Sequence, residues 1–161
     1  MDVKKIYEYA LQREREGYVF FSTNAEKVSH AAAAGVFRRL AEEEQQHIAY
    51  IEDLITGLDA DPGAVEAPAL QEDGWFEKRA EEELLQQTII ESMIPDVAIL
   101  RTAYLIERDL AEFYRGAAER VEGPARIALS NLADWEKTHE KLFGTLHDRV
   151  FAEYSNMPWG G

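Results

Sequence analysis

Four long segments of this 161-residue chain repeat apolar residues every three or four positions. This spacing is typical of helices that pack along their length, because side chains placed in this way lie on one helical face. The segments cover about residues 3–28, 31–56, 95–121 and 124–153. Short links join the first segment to the second and the third to the fourth. Each pair is therefore predicted to form an antiparallel helical hairpin.

A long connection, about residues 58–94, separates the two hairpins. It begins with "GLDADPGAVEAPALQEDG", whose proline, glycine and aspartate residues favour a loop, and a shorter helix is predicted from about Trp75 to Ser92. Such a connection can cross a bundle from end to end. The sequence thus predicts an all-α four-helix bundle in a single domain, residues 1–161, with hairpins at about 2–57 and 95–153 and a short C-terminal tail.

Six ionisable residues stand on the inward stripes of these helices, where the pattern calls for apolar ones: Glu14, Glu44, His47, Glu107, Glu136 and His139. A buried carboxylate without a partner costs several kcal/mol or takes up a proton. Four of them together would repel one another, and no lysine or arginine lies near them on the stripes. Two divalent cations would balance the four carboxylates, so the pattern predicts a buried metal site.

The motif Glu-x-x-His occurs twice, as Glu44 with His47 and as Glu136 with His139. Residues three apart on a helix lie one turn apart on the same face, so one carboxylate and one imidazole can reach the same ion. In a chain with 31 acidic residues the spacing alone is weak. At about 1.5 Å rise per residue, however, each hairpin brings its three candidates to within roughly one turn of the same level. Two metal ions are therefore predicted.

The hairpins also resemble each other in sequence. At an offset of 93 residues, seven identities relate the first segment to the third: Ala10, Glu14, Arg15, Phe20, Ala25, Glu26 and Val28 correspond to Ala103, Glu107, Arg108, Phe113, Ala118, Glu119 and Val121. Two similar hairpins related by a near-two-fold axis would converge on one central site.

Composition limits the classes of function. The formal net charge of −14 argues against nucleic acid and anionic membranes as partners. No apolar run approaches the roughly 18 residues of a membrane span. The absence of cysteine excludes thiol catalysis, disulfides and cysteine-ligated iron centres within this chain. The segment "MDVKKIYEYALQRERE" lacks the apolar stretch of a signal peptide, so a cytoplasmic location is expected.

Four motifs, in this order along the chain, resemble the rubrerythrin branch of the ferritin-like superfamily, especially its stand-alone erythrin forms: "EREGYVFF", "LAEEEQQH", "ERDLAEFY" and "LADWEKTH". The resemblance implies a ferritin-like bundle that holds two iron ions, cycling between ferrous and ferric states. Manganese, or one metal of each kind, suits the same ligands. By resemblance Glu14 and Glu107 are terminal carboxylates, Glu44 and Glu136 bridging carboxylates, and His47 and His139 imidazole ligands.

Two departures from the rubrerythrin pattern bear on function. Many rubrerythrins carry a cysteine-ligated rubredoxin domain, but this sequence has no cysteine, so we expect an external electron donor such as a rubredoxin or a reductase. Rubrerythrins proper also carry a further glutamate one turn after the position of Glu107, where this chain has Leu110, with only Asp109 nearby. The redox-linked ligand switch of the family therefore lacks its usual residue here.

The leading hypothesis for function is a di-iron redox enzyme that reduces hydrogen peroxide, or dioxygen, to water. Alternatives are a ferroxidase that handles iron as its substrate, other di-iron chemistry such as oxygenation, and a non-catalytic bundle with a vestigial site. We expect a homodimer or a higher homo-oligomer. Tyr104 and Tyr114 lie within one or two turns of Glu107 and are candidates to support its ligands, whereas Glu42 and Glu43 are expected to face solvent.

Overall fold

The computed structural model describes residues 2–60 and 85–158. These ranges form α1 (Val3–Ala25), α2 (Ala31–Ala60), α3 (Gln87–Ser92), α4 (Val97–Ala118) and α5 (Gly123–Asn156), with a 3-10 turn at Ile94–Asp96 directly before α4. No β-strand occurs in the described ranges, and the all-α prediction is confirmed. No helix in the same ranges is long and apolar enough to cross a bilayer.

Local chemistry accounts for the helix ends. The side chain of Asp2 caps α1 by accepting hydrogen bonds from the backbone N–H groups of Lys4 and Lys5. Gly123 begins α5 with a φ of +64°, in the left-handed region that glycine adopts without strain, and proline follows it in the first turn. α2 continues past its predicted end near residue 56 to Ala60. An ion pair between Lys4 Nζ and Asp59 Oδ1, at 2.6 Å, holds that last turn against α1.

α1 packs on α2 and α4 packs on α5, as the two hairpins predict. A buried aspartate ties one hairpin to the other. Asp96, in the 3-10 turn before α4, accepts hydrogen bonds from the backbone N–H of Ser29 at 2.8 Å and from its hydroxyl at 3.2 Å. Because Ser29 lies in the link between α1 and α2, this contact fixes the two hairpins relative to each other at one end of the bundle.

Two apolar clusters fill the bundle, one towards each end. The phenylalanine cluster contains Phe21, Phe37, Phe143, Leu40, Leu100, Leu142 and Leu146, and the tyrosine cluster contains Tyr7, Tyr50, Tyr114, Ile51, Leu54, Leu110 and Leu132. Each fully buried side chain of this size contributes about 1.5–3 kcal/mol relative to the exposed state. The rings of Phe21 and Phe143 stack with centroids 5.8 Å apart. The six ionisable residues of the inward stripes lie between the two clusters along their helices.

The ends of the long connection lie at opposite ends of the bundle. Leu58, near the end of α2, packs on the tyrosine cluster, whereas Leu85 packs on the phenylalanine cluster. This placement agrees with a crossover along the bundle. The predicted helix from Trp75 to Ser92 falls partly outside the described residues, and its described part is α3, whose Ile89 and Ile90 are buried.

Candidate metal centre

The bundle brings the six ionisable residues of the inward stripes together. All six are buried, none of them more than 3% exposed. α1 supplies Glu14, α2 supplies Glu44 and His47, α4 supplies Glu107, and α5 supplies Glu136 and His139. Their potential ligand atoms form two groups of four, and the atoms within a group all lie within 4.8 Å of one another. The first group is Glu14, Glu44, His47 and Glu136, and the second is Glu44, Glu107, Glu136 and His139.

Glu44 and Glu136 belong to both groups. A carboxylate shared in this way can give one oxygen to each of two ions, which is the role of a bridging ligand. The remaining residues define two separate places. We call the place beside Glu14 and His47 the first position, and the place beside Glu107 and His139 the second position. Glu44 and Glu136 are also the two residues for which the sequence resemblance implies a bridging role.

Both imidazoles turn Nδ1 towards the carboxylates. His47 Nδ1 lies 3.2 Å from Glu14 Oε2 and 2.9 Å from Glu136 Oε1. His139 Nδ1 lies 3.4 Å from Glu107 Oε2 and 3.5 Å from Glu136 Oε2. The two rings are nearly parallel, inclined by 18° with centroids 6.2 Å apart. In each histidine, Nδ1 is therefore the nitrogen that can bind a metal.

The donor set fits two metal ions by an independent criterion. In the described part of the chain, both carboxylate oxygens of Glu44, Glu107 and Glu136 are buried without a hydrogen bond of acceptable geometry, although His47 Nδ1 is only 2.9 Å from Glu136. Buried polar atoms normally have hydrogen-bond partners. Six buried oxygens that lack them, facing one another, are atoms arranged for cations. No lysine or arginine is buried in the described ranges to take that role.

Electrostatics in the metal-free site favour protonated carboxyls at two places. Burial raises the pKa of Glu44 well above its usual value, and the charges of Glu14 and Glu136 raise it further. Burial and the charge of Glu136 raise the pKa of Glu107 in the same way. Glu136 behaves differently because burial, which raises its pKa, is outweighed by His47 and His139, so its pKa falls below the usual range.

The histidines are correspondingly cationic without metal. Burial lowers the pKa of His47, but the charges of Glu136 and Glu14 outweigh it and raise that pKa from 6.5 to about 10. For His139 burial is likewise outweighed, mainly by Glu107, and its pKa lies well above the usual value. Metal ligands must be deprotonated, so metal binding here would displace protons from both histidines and from Glu44 and Glu107.

Of the two candidate tyrosines, one touches the site. Tyr114 is fully buried, and its O–H donates a hydrogen bond to Glu14 Oε1. Burial, reinforced by Glu14, raises the pKa of Tyr114 well above 10, so it remains a donor. Tyr104 lies elsewhere, with its ring against Gly144 and with the guanidinium carbon of Arg108 5.7 Å from the ring centroid.

Glu43 was expected to face solvent, and this expectation is wrong. Its side chain is 18% exposed, with Oε2 3.0 Å from His139 Nε2 and Oε1 3.3 Å from Arg39 Nε. A carboxylate on the outer nitrogen of a metal-binding histidine orients the ring and increases its basicity. The arginine four residues earlier predicts only an i,i+4 ion pair along α2, and the contact with His139 depends on how the hairpins dock.

Trp135 is a second residue that sequence reasoning missed. Its ring stacks on His47, inclined by 17° with centroids 4.8 Å apart. A tryptophan directly before Glu136, in an otherwise polar stretch, was the signal in "LADWEKTH". The stack fixes the plane of the His47 ring.

The absence of a side chain at Gly17 leaves space for the carboxylate of Glu44. A Cβ atom at this position would lie 2.9 Å from Glu44 Oε2, closer than side-chain contacts allow. Only glycine lets the α1 backbone come so near to the Glu44 carboxylate.

The family model described as Rubrerythrin matches residues 5–147 of the chain. The matched segment includes all six residues of the site. No curated protein and no solved structure was found to match the chain.

Proposed function

The chain belongs to the rubrerythrin family, and on this basis we propose that it is a di-iron oxidoreductase that reduces hydrogen peroxide to water. The observation that carries the proposal is the pair of four-residue groups that share Glu44 and Glu136 inside an apolar bundle. A shared pair of carboxylates would hold two ions side by side, an arrangement that suits a two-electron reaction at an O–O bond.

In this proposal Glu14 and His47 would hold one iron, Glu107 and His139 would hold the other, and Glu44 and Glu136 would be available to both. Reduction of one hydrogen peroxide to two waters consumes two electrons and two protons. When bound, two ferrous ions would supply one electron each and adjacent positions for both peroxide oxygens. The electrons are returned by an external donor, for which a rubredoxin or a reductase is the proposed class.

The surrounding residues keep this chemistry sheltered. The phenylalanine and tyrosine clusters flank the site, and exclusion of water strengthens each electrostatic contact inside it. Tyr114 keeps its phenol proton and holds it on Glu14 Oε1, which fixes that carboxylate beside His47. These side chains orient the ligands before any substrate arrives, so little reorganisation is needed during the reaction.

Leu110 occupies the place where rubrerythrins proper have a further glutamate. The leucine side chain has no atom that could bind a metal, and it is buried in the tyrosine cluster. The proposed reaction therefore runs with six protein ligands.

The proposal is tested by anaerobic reconstitution with ferrous iron, followed by stopped-flow mixing with hydrogen peroxide or with dioxygen. We expect two irons per chain and oxidation by peroxide that is much faster than for free ferrous iron. Oxidation by peroxide at the rate of free ferrous iron would refute peroxide reduction. Faster oxidation by dioxygen, with many irons oxidised per chain, would identify a ferroxidase instead.

A further inference from the structure

The two metal positions have different surroundings, and the internal repeat makes the comparison direct. Glu43 precedes the shared Glu44 on α2, and Trp135 precedes the shared Glu136 on α5, so the two residues are counterparts. Each of them reaches the histidine of the opposite hairpin. Glu43 holds His139 with a carboxylate, whereas Trp135 covers His47 with an aromatic face.

The two contacts act differently on the histidines. With Nδ1 facing the metal, His139 carries its proton on Nε2 and donates it to Glu43 Oε2 at 3.0 Å. A carboxylate in that role makes the imidazole a stronger ligand. Arg39 holds the other oxygen of Glu43 and fixes the carboxylate in place. Stacking by Trp135 restrains the plane of the His47 ring but offers no acceptor to its N–H.

The terminal carboxylates, Glu14 and Glu107, also favour tighter metal binding at the second position. Tyr114 donates a hydrogen bond to Glu14, which draws electron density away from the ligand of the first position. The counterpart of Tyr114 on α1, at the 93-residue offset of the repeat, is Phe21, which has no hydroxyl. Neither oxygen of Glu107 receives a hydrogen bond of acceptable geometry from the described residues. Among the described residues, no phenol therefore draws electron density from Glu107 as Tyr114 does from Glu14.

We propose that the two metal positions are inequivalent, and that Glu43 is the positioning residue that makes the second position the tighter one. The metal beside Glu107 and His139 binds first and leaves last, and the metal beside Glu14 and His47 is the exchangeable one. This inference rests on the proposed function, since it requires that the site bind two metal ions.

Titration of the metal-free protein with Co²⁺ tests the inference without any activity measurement. Binding is measured by calorimetry and, in parallel, by the visible absorption of the bound ion. Two binding steps are expected, separated by about 10- to 100-fold in affinity, the usual effect of an outer carboxylate on a metal histidine. Glu43→Gln is expected to weaken the tight step by at least about tenfold and to leave the weak step unchanged. Glu42→Gln, at an exposed neighbouring position, is the matched control and should change neither step.

The converse variant moves the carboxylate to the other position. Trp135→Glu is expected to raise the affinity of the weak binding step and so bring the two affinities closer together. Trp135→Phe, which keeps an aromatic ring, should leave the difference between the two affinities unchanged. Glu107→Ala should remove the tight step and Glu14→Ala the weak one, which assigns each step to its position. If Trp135→Glu does not fold, the results for Glu43→Gln and Glu107→Ala still show whether the second position is the tighter one and whether Glu43 makes it so.

The outcomes separate the two ideas. Two equal affinities, or a tight step that Glu43→Gln does not weaken, would overturn the inference and leave the two-metal proposal intact. Loss of the weak step in Glu107→Ala would overturn the assignment of the tight step to the second position. Failure of the wild-type protein to bind any metal would overturn the proposed function and this inference with it.

Discussion

Tyr114 and Glu14 lie 100 residues apart in the chain, and the phenol of the first donates a hydrogen bond to the carboxylate of the second in the centre of the bundle. The contact joins α4 to α1, and so links one hairpin to the other directly at the site. Because both groups are fully buried, water cannot replace either partner.

Removing this hydrogen bond should destabilise the protein without changing its shape. We expect Tyr114→Phe to lower the free energy of unfolding of the metal-free protein by about 1–3 kcal/mol, because the buried Oε1 of Glu14 loses its hydrogen-bond donor. Urea denaturation in the presence of a chelator measures the change. Tyr104→Phe, on the same helix but away from the site, is the control and should cost less than about 1 kcal/mol. Equal losses in the two variants would contradict the role given to Tyr114.

The glycine beside Glu44 gives a second prediction. Gly17→Ala would force the shared carboxylate away from a Cβ at 2.9 Å, so affinity for both metals should fall by at least about tenfold. Gly116→Ala, on α4 with open space around the new Cβ, is the control. It should leave metal content unchanged and stabilise the helix by up to about 1 kcal/mol. Metal analysis after reconstitution and dialysis compares the variants, and full metal content in Gly17→Ala would count against the observed placement of Glu44.

Because Glu44 belongs to both metal positions and Glu14 to only one, the same substitution should lower the metal content more at Glu44 than at Glu14. Glu44→Gln removes a ligand from both positions and should leave fewer than one metal per chain, whereas Glu14→Gln affects one position and should leave about one. Stability of the metal-free Glu44→Gln variant should change little, because burial raises the pKa of Glu44 and so favours a neutral carboxyl, which glutamine resembles. Elemental analysis and chelated thermal melts measure the two effects. Two metals retained by Glu44→Gln would show that Glu44 is not shared.

Stability of the metal-free protein should depend on pH through His47. Its pKa is raised from 6.5 to about 10 in the folded protein, so the folded state binds the proton more tightly than the unfolded state. The stabilisation is complete below pH 6.5 and is lost as the pH rises towards 10. The melting temperature of the chelated protein should therefore fall over this range, and His47→Gln should reduce the slope.

The stabilisation that metal gives should change with pH in the opposite direction to the stability of the metal-free protein. Because metal displaces protons from the site, the rise in melting temperature on adding metal should grow with pH. Melts with and without a chelator, in matched buffers, give the difference directly. A metal-induced rise that shrinks as the pH increases would contradict the protonation assigned to the site.

The helices and the six residues of the site can be predicted from sequence for the same physical reason. An apolar stripe marks the buried face of each helix, and an ionisable residue on such a stripe must have a partner inside the bundle. Periodicity thus separates Glu14 and Glu107 from the many acidic residues at the surface. It also favours Tyr114 over Tyr104. Tyr114, seven residues after Glu107, lies within about 20° of it around the helix axis, whereas Tyr104, three residues before Glu107, lies about 60° away.

Glu43 and Trp135 could not be placed in the same way. Each stands one residue from a shared glutamate, about 100° around the helix, at the boundary between the buried and exposed faces. What such a side chain touches depends on how far one hairpin is rotated and shifted against the other. The local pattern of a single helix does not contain that information, and only the assembled bundle shows that each of the two reaches a histidine of the opposite hairpin.

Each group of four candidate ligands takes three residues from one hairpin and a single glutamate from the other. Neither half of the chain can complete a metal position by itself, so metal loading reports that both halves have folded and docked. The same division has a consequence for ancestry. Each hairpin supplies two glutamates and one histidine, and the internal repeat of this chain is the pattern that fusion of two copies of one hairpin would leave.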